Sequence, residues 1–211
     1  MSVSLINSFN DNPWQLAGFA RICTNPINKR FSELFSAERE RDIKTVTNLY
    51  KKGHWSVFEH CVLTYLVECS RACSLQLARH RHISRTEMSQ RYTKFDKSVC
   101  VIPPGLTIEQ EIELGNSIAC AFKDYHILLE HSVKPEDARF VLPEATKTRM
   151  IITLNLRTLL ELTQKRATNS GAQWEISQLV RDMWTDVNRD LKEIFKPELT
   201  WLDDEQANTS D

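Results

Sequence analysis

The sequence predicts an α+β fold in which helices dominate and which forms a single domain. Its 211 residues fit one domain that is large enough to bury a core. Two stretches, 58–68 and 147–155, show the β-branched and aromatic enrichment or the alternation of strands. Several longer stretches carry apolar residues at helical spacing. These patterns do not define the order of the strands.

The first half of the chain is predicted to contain a helix, a strand and a second, shorter helix. Residues 37–52 read as a helix that Gly53 ends as its C′ residue. The strand 58–68 follows, and Ser70 then caps a short helix over 71–81. Its inward-facing residues are expected to be Ala72, Cys73, Leu75 and Leu77.

Two further helices are predicted between the loop at Pro103–Pro104 and the second strand. Thr107 with Gln110 forms a capping box for a long helix that runs to about His131. Pro135 suits the first turn of the next helix, which stops before Pro143.

The C-terminal part is predicted to contain a strand and two helices. The strand 147–155 alternates, and Asn155 caps the helix 156–166. A single final helix begins near Gln173 and ends before Pro197. Its apolar face consists of Ile176, Val180, Met183, Val187, Leu191 and Ile194. We expect the domain to span 1–200 and the acidic tail 201–211 to be disordered.

The overall charge excludes a general attraction to polyanions. The chain has 27 basic and 28 acidic side chains and a net charge of −1, so we expect neither nucleic acid nor membrane as a partner. It has no signal-peptide pattern and no apolar run of about 18 residues. We therefore expect a cytoplasmic protein whose six cysteines are reduced.

Common phosphate-binding and metal-binding motifs are absent from the sequence. The five glycines are isolated, so there is no dinucleotide-binding turn, P-loop or nucleophile elbow. Phosphate must then be held by side chains, chiefly arginines. Cys69 and Cys73 lack a second pair for zinc. The nearby histidines lack a completing carboxylate or thiolate, so no metal is expected; they are His54, His60, His80 and His82.

The segment "RHRHISRTEMSQRY", 79–92, concentrates cations in a chain that is otherwise balanced. Such a cluster repels itself unless water or an anion screens it. Glu87, Ser89 and Arg91 alternate, so in an extended segment they would point the same way. They would offer a carboxylate, a hydroxyl and a guanidinium to a ligand with phosphate and amide-like edges. The alternative is an exposed basic loop.

The same segment resembles a known signature. "RHR" at 79–81, seven residues and Ser89 are similar to the RHR-x7-S signature of the flavin-dependent (alternative) thymidylate synthases. Other stretches resemble the family in its order and extend the similarity over roughly 18–196. They are "HWSVFEH" at 54–60, "SRACSLQLARHR" at 70–81, "SQRY" at 89–92, "ARFVLP" at 138–143, "LNLRTLLEL" at 154–162 and "RATNSGAQWEI" at 166–176.

The resemblance implies a fold, a reaction and an assembly. The fold would have a central mixed or antiparallel sheet. The enzymes of this family convert dUMP to dTMP, take the methylene from methylenetetrahydrofolate, and use FAD reduced by NADPH as the hydride source. They are homotetramers whose active sites combine residues of several subunits.

The resemblance also assigns site residues. Arg166 would be catalytic, because a cation favours ionisation at uracil N3 and charge developing on the pyrimidine; otherwise it is a surface arginine that ends a helix. The residues expected to bind dUMP are Gln76, Arg79, Glu87, Ser89, Gln90, Arg91, Arg139 and Arg166. Those expected to bind FAD are Ser56, Arg79, His80, Arg81, Glu87, Asn155, Arg157 and Glu161.

Several of these positions keep an alternative interpretation. Ser89 is expected to donate or accept a hydrogen bond, since no base is evident that would make it a nucleophile. His54 would lie near flavin and folate, or be a surface histidine after Gly53. Tyr92 would stack on one of their rings, or be a core tyrosine. Arg139 could instead be a helix-surface partner of Glu136.

The chain departs from the family pattern at three places. Thr86 stands where the family frequently has Asn before the signature glutamate, and Glu161 stands at a position that is often Asn. The carboxylate of Glu161 either binds adenosine hydroxyls or does not contact FAD. The segment "ATNSG" at 167–171 is one residue longer than in many members.

Three other functions compete with the thymidylate synthase. A homologue could bind flavin or nucleotide without turnover, and a variant enzyme could modify another pyrimidine deoxynucleotide. The basic segment could also form a phosphate track for nucleic acid, although the neutral pI and the absence of a nucleic-acid-binding signature oppose this.

Overall fold

A four-stranded antiparallel sheet is the centre of the fold, as the α+β prediction requires. The structure is a computed structural model and describes residues 1–25, 27–28, 30–35, 38–95, 99–168 and 171–201. The strands are Ser2–Phe9 (β1), Val62–Ser70 (β2), Ile83–Glu87 (β3) and Lys147–Asn155 (β4). Their order is β1-β2-β4-β3, so β2 and β4 are the inner strands.

The rest of the described chain is mainly helical. The α-helices are Pro13–Arg21 (α1), Phe31–Leu34 (α2), Arg39–Lys51 (α3), Arg71–Leu77 (α4), Ile108–Glu130 (α5), Pro135–Ala138 (α6), Leu156–Arg166 (α7), Trp174–Met183 (α8) and Arg189–Phe195 (α9). Short 3-10 helices lie at Trp55–His60, Arg139–Val141 and Lys196–Glu198.

One face of the sheet is the floor of the main core. Tyr65 faces Ile152 and Val67 faces Met150 across β2 and β4, and all four side chains are buried. Since strand side chains alternate, the neighbouring positions point to the other face. There the hydroxyls of Thr64 and Thr153 lie 3.0 Å apart. The predicted alternation of 147–155 is confirmed, and α7 and α8 cover the buried face with Leu159, Leu162, Ile176, Leu179 and Val180.

A second, smaller cluster lies under the long helix α5. Ile118, Phe122 and Tyr125 point from α5 toward Phe95 and Ala138. The capping box of Thr107 predicted for this helix is present. The helix ends at Glu130, as predicted, and α6 begins at Pro135 before the 3-10 helix Arg139–Val141.

The predicted signals for the end of one helix and for the starts of two others are confirmed. Gly53 adopts φ +71° after α3, as a C′ residue does. The Ser70 hydroxyl accepts a hydrogen bond from the Cys73 amide at 3.0 Å. Asn155 Oδ1 accepts one from the Thr158 amide at 2.9 Å. The last two caps place α4 and α7 at the ends of the inner strands.

Two predicted boundaries and one predicted buried residue are wrong. β2 begins at Val62, because Phe58 belongs to a 3-10 helix and packs edge-on against Phe195 with ring centroids 5.4 Å apart. α4 ends at Leu77, not 81, because the chain turns through His82 at φ +62° to enter β3. Leu75 is consequently on the outside of this short helix and is 46% exposed.

The predicted final helix is two helices. The chain breaks after Met183, where the indole of Trp184 donates to Thr163 Oγ1 at 2.8 Å. Asn188 then caps α9 by accepting from the Asp190 amide at 2.9 Å. All six predicted apolar residues are nevertheless buried. Trp201 also lies in the core, and the rest of the predicted tail, 202–211, is outside the described residues.

Candidate active site

A large cavity lies between the turn that follows α4, residues 78–82, and one face of α7. Its volume is about 710 Å³. Six of its residues were predicted for the dUMP or FAD sites, and three were not. The lining consists of Gln76, Arg79, His80, Arg81, His82, Thr158, Glu161, Lys165 and Arg166.

Local structure explains why these two segments meet. The turn leads into β3, whose first residue Ile83 pairs with Leu154 of β4. α7 starts directly after β4, so the turn and the helix adjoin the same end of the sheet. On α7, Thr158, Glu161 and Lys165 are spaced i, i+3 and i+7 and therefore share a face.

The lining is strongly cationic. Arg79, Arg81, Lys165 and Arg166 all contribute positive charge, and within the described part of the chain none of them forms an ion pair. Glu161 is the one carboxylate of the lining, and it accepts a hydrogen bond from Arg157 Nε at 3.1 Å. An uncompensated group of cations around a concave space favours an anionic ligand.

The guanidinium of Arg166 is held by a histidine. Its Nε donates to His80 Nε2 at 3.0 Å. Burial lowers the pKa of His80, and the charges of Arg166 and Lys165 lower it further. His80 is therefore neutral near pH 7 and can accept this hydrogen bond. The two Nη groups of Arg166 have no partner among the described residues.

A second cavity of about 430 Å³ continues from the first, because His82, Thr158 and Glu161 line both. It adds Asn155 and Arg157, two of the residues predicted to contact FAD. Arg157 is engaged there through its Nη1, which donates to Glu59 at 2.6 Å. The two cavities together form one elongated space along α7.

Glu87 does not line either cavity. Its Oε1 accepts hydrogen bonds from Arg71 Nη1 at 2.6 Å, Ser74 Oγ at 2.8 Å and Thr148 Oγ1 at 3.0 Å. Arg85 also approaches the other carboxylate oxygen at 3.5 Å. Within this chain, Glu87 joins the end of β3 to α4 and β4.

The remaining residues predicted to bind dUMP form a separate group after β3. The extended conformation that would align Glu87, Ser89 and Arg91 does not continue past Ser89, because the chain turns there and the Thr93 amide donates to the Ser89 carbonyl at 2.9 Å. Arg91 Nε donates to Glu136 Oε2 at 2.8 Å. These side chains do not line the cavity at Arg166.

Arg139, Gln90 and Tyr92 belong to the same region. Arg139 Nε donates to the backbone carbonyl of Glu136 at 3.0 Å, so the alternative partner is correct but through its main chain. Gln90 is half-buried. Tyr92 is 80% exposed and is therefore not a core tyrosine. We call Ser89, Gln90, Arg91, Tyr92 and Arg139 the post-β3 group.

Two predicted residues lie near the entrance to β2. His54 and Ser56 are both exposed and line neither of the two cavities. Between them, Trp55 lines a smaller hollow of about 190 Å³ together with Arg157 and Glu161. The structure thus places them beside α7, on the side of Arg157.

Sequence reasoning missed Thr158 and Lys165 and weighed His82 only among the histidines of a possible metal site. The helical spacing of Thr158 and Lys165 relative to Glu161 is a signal that could have found them. The altered segment at 167–171 contains residues 169 and 170, which lie outside the described residues. In the described part of the chain, no group of three His, Cys, Asp or Glu could hold a metal ion, and no helix is long and apolar enough to cross a membrane.

Comparison with known proteins identifies relatives along most of the chain. The family model described as thymidylate synthase complementing protein matches residues 4–191. A flavin-dependent thymidylate synthase of Pyrococcus abyssi is 33% identical over 178 residues, which are 81% of this chain and 72% of the relative. One of Saccharolobus solfataricus is 34% identical over 200 residues, 93% of this chain and 76% of the relative.

A solved structure supports the fold independently. The crystal structure of the UMP/dUMP methylase PolB from Streptomyces cacaoi, bound with 5-Br dUMP, superposes with a TM-score of 0.81. It is 23% identical, and the match covers 93% of this chain and 94% of that one. The α+β architecture is therefore shared with it. From the family match and the identity to these relatives, the chain belongs to the flavin-dependent thymidylate synthase family.

Proposed function

We propose that this protein is a methyltransferase that converts dUMP to dTMP, with methylenetetrahydrofolate as the carbon donor and NADPH as the reductant of bound FAD. The observation that carries the proposal is the cavity at Arg166, in which four cations lack a counter-charge. A nucleotide phosphate and an electron-rich ring are ligands that such a lining stabilises.

The charge of the cavity lining suits the phosphate groups of FAD and dUMP. The continuous space along α7 comprises about 710 Å³ and about 430 Å³. Arg79, Arg81 and Lys165 supply cations for phosphate oxygens, and Asn155 lines the second cavity. FAD, when bound and reduced by NADPH, would supply the hydride of the reaction.

Arg166 has the free hydrogen-bond donors that the reaction needs. Its Nε is used by His80, which leaves both Nη groups for a ligand. A guanidinium beside the pyrimidine stabilises the negative charge that appears when uracil N3 loses its proton, and this charge, delocalised toward C5, makes C5 nucleophilic toward the methylene carbon. The charge stays in place because arginine does not lose its proton in proteins.

The proposed assembly is a homotetramer with shared sites. Gln76, Arg79 and Arg166 line the cavity, whereas the post-β3 group does not. We expect the post-β3 group of one subunit to complete the cavity of another and to bring Arg91 and Arg139 to the dUMP phosphate. The exposure of Tyr92 at 80% is consistent with a surface that a second subunit covers.

Mixed subunits test the sharing. Arg166→Ala and Arg139→Ala proteins are each expected to be nearly inactive. If a site takes Arg166 and Arg139 from different subunits, an equal co-expressed mixture regains up to roughly one quarter of the wild-type activity, because about one site in four contains both arginines. A mixture as inactive as its components would show that each site comes from one chain.

The visible spectrum of the purified protein tests the function itself. We expect a flavin spectrum that NADPH bleaches without oxygen and that returns only when dUMP and methylenetetrahydrofolate are both added. Replacing dUMP by UMP or dCMP in the same assay identifies the nucleotide. If the protein binds FAD but its reduced flavin is not reoxidised by these substrates, it is the homologue without turnover. A protein that takes up no FAD would contradict the proposal.

The proposed location is the cytoplasm. The six cysteines are free, as they would be in a reducing compartment. Cys61, Cys69 and Cys73 are buried and serve packing, whereas Cys23 and Cys120 are exposed.

A further inference from the structure

Arg166 has an unusual hydrogen-bond partner, the imidazole of His80, which can accept the bond only while its Nε2 carries no proton. A guanidinium has five N–H donors and no acceptor. His80 Nε2, 3.0 Å from Arg166 Nε, therefore contributes a lone pair to the contact. The neutral imidazole then carries its single proton on Nδ1, and Nδ1 has no partner in the described part of the chain.

We propose that His80 is a positioning residue for Arg166: as the neutral Nδ1–H imidazole it fixes the guanidinium in the cavity, and protonation of His80 releases it. The consequence for turnover rests on the proposed function, whereas the contact itself does not. The contact joins the turn after α4 to the last residue of α7, which are 86 positions apart in the chain. It is a direct link between the two walls of the cavity.

A neutral acceptor suits this position better than a carboxylate. A carboxylate beside Arg166 would hold the guanidinium equally well, but it would neutralise the charge that the uracil ring needs. The imidazole fixes Nε and leaves the positive charge uncompensated. Glu161, the carboxylate of the same lining, is instead bonded to Arg157.

The surroundings of His80 favour its neutral form. Burial is the first cause of its lowered pKa, and the charges of Arg166 and Lys165 follow. The other charged or titratable side chains that line the cavity are Arg79, Arg81 and His82 on its own segment and Glu161 on α7. Cations outnumber the single carboxylate. Protonated His80 would add a further cation at 3.0 Å from Arg166 and would have no lone pair to offer.

The tautomer and the titration of His80 can be measured without turnover. The probe is the full-length protein as purified, labelled with ¹⁵N in the histidine rings, and His80 is assigned by comparison with His80→Asn. We expect Nδ1 protonated, Nε2 unprotonated, and a titration midpoint below the ordinary histidine value of about 6.5. Arg166→Gln should raise the midpoint because it removes the adjacent cation, whereas Arg41→Gln on the exposed side of α3 should not.

Kinetics test the consequence for Arg166. Below the titration midpoint of His80, the wild-type kcat should fall about tenfold per pH unit, because one protonation removes the lone pair that holds Arg166. His80→Asn keeps an acceptor that does not titrate, so this acid limb should disappear. His80→Ala should lower kcat roughly tenfold or more with little change in the KM for dUMP. The control His131→Asn, at the end of α5, should retain the wild-type profile.

The results distinguish a failure of the proposed His80–Arg166 contact from a failure of the proposed function. An Nε2–H tautomer, or a midpoint that Arg166→Gln does not move, would overturn the proposed role of His80 even if dTMP is formed. An unchanged acid limb in His80→Asn would do the same. If no dTMP is formed by any protein, the proposed function fails, and the tautomer and midpoint alone still decide the contact.

Discussion

Replacing Glu87 should destabilise the folded protein, because the carboxylate is the common acceptor of three donors. Its side chain is 12% exposed and that of Arg71 is 28% exposed. Glu87→Ala leaves the buried Ser74 hydroxyl and the Arg71 guanidinium without this acceptor. Breaking a buried ion pair costs about 3–5 kcal/mol, and the partial exposure of Arg71 places the expected loss near the lower limit, at about 3 kcal/mol.

Glu87→Gln should destabilise the protein less than Glu87→Ala does. The amide carbonyl still accepts hydrogen bonds, but these lose the charge assistance that makes them about twice as strong, so the expected loss is about 1.5 kcal/mol. Urea unfolding followed by circular dichroism at one fixed protein concentration measures both values. For a chain of this length, the melting temperature of Glu87→Ala should fall by about 6–12 °C.

Glu38→Ala is the matched control. Glu38 pairs with Arg41 at 3.3 Å, but the two side chains are 62% and 57% exposed. Removing it should change the free energy of unfolding by less than about 1 kcal/mol. If Glu87→Ala costs no more than this control, Glu87 does not hold β3 to α4, and its carboxylate is free for the ligand contact that the family resemblance implies.

Three further results are expected. Arg166→Ala should lower kcat by about 10²–10³ while the FAD content stays near wild type, because its task is in the transition state; equal turnover in the variant would refute that role. Arg81→Ala should lose flavin, and a preparation that stays fully yellow would count against the contact. Glu68 has its pKa lowered to about 2 by hydrogen bonds from Lys147 and Arg149. Its stabilising effect should therefore be complete above its unfolded pKa of about 4.5 and lost as the pH falls toward 2, so that the melting temperatures of wild type and Glu68→Gln converge over that window.

Local side-chain chemistry could be predicted from the sequence. The caps formed by Ser70, Thr107 and Asn155 depend on amide groups only three residues away, and all three are present. The strand β4 was also predicted, because its alternation reflects one buried and one open face. Of these elements, α7 supplies one wall of the candidate site.

Elements that depend on distant contacts could not be predicted. β1 has serines on an edge strand, and its place comes from pairing with β2, as between Ser2 and Glu68. The break after Met183 depends on the hydrogen bond from Trp184 to Thr163, 21 positions earlier. Helical spacing continues through the break, so periodicity alone could not reveal it.

In the candidate site too, individual residues could be predicted from the sequence, but a contact between distant segments could not. Resemblance brought attention to Arg79, His80, Arg81 and Arg166, and these four residues do meet in one cavity. The bond between His80 and Arg166 could not be predicted, since it requires the turn and the end of α7 to lie side by side. The extended run after Glu87 was wrong because a main-chain turn at Ser89 competes with strand pairing.

The most direct test of the central claim is analysis of the product after one turnover without oxygen. Protein whose flavin has been reduced is mixed with dUMP and methylenetetrahydrofolate, and the nucleotide is identified by mass. We expect dTMP in an amount that matches the flavin reoxidised, with none when either substrate is omitted and very little with Arg166→Ala. Recovery of unchanged dUMP from wild-type protein that holds reduced flavin and both substrates would contradict the proposed function.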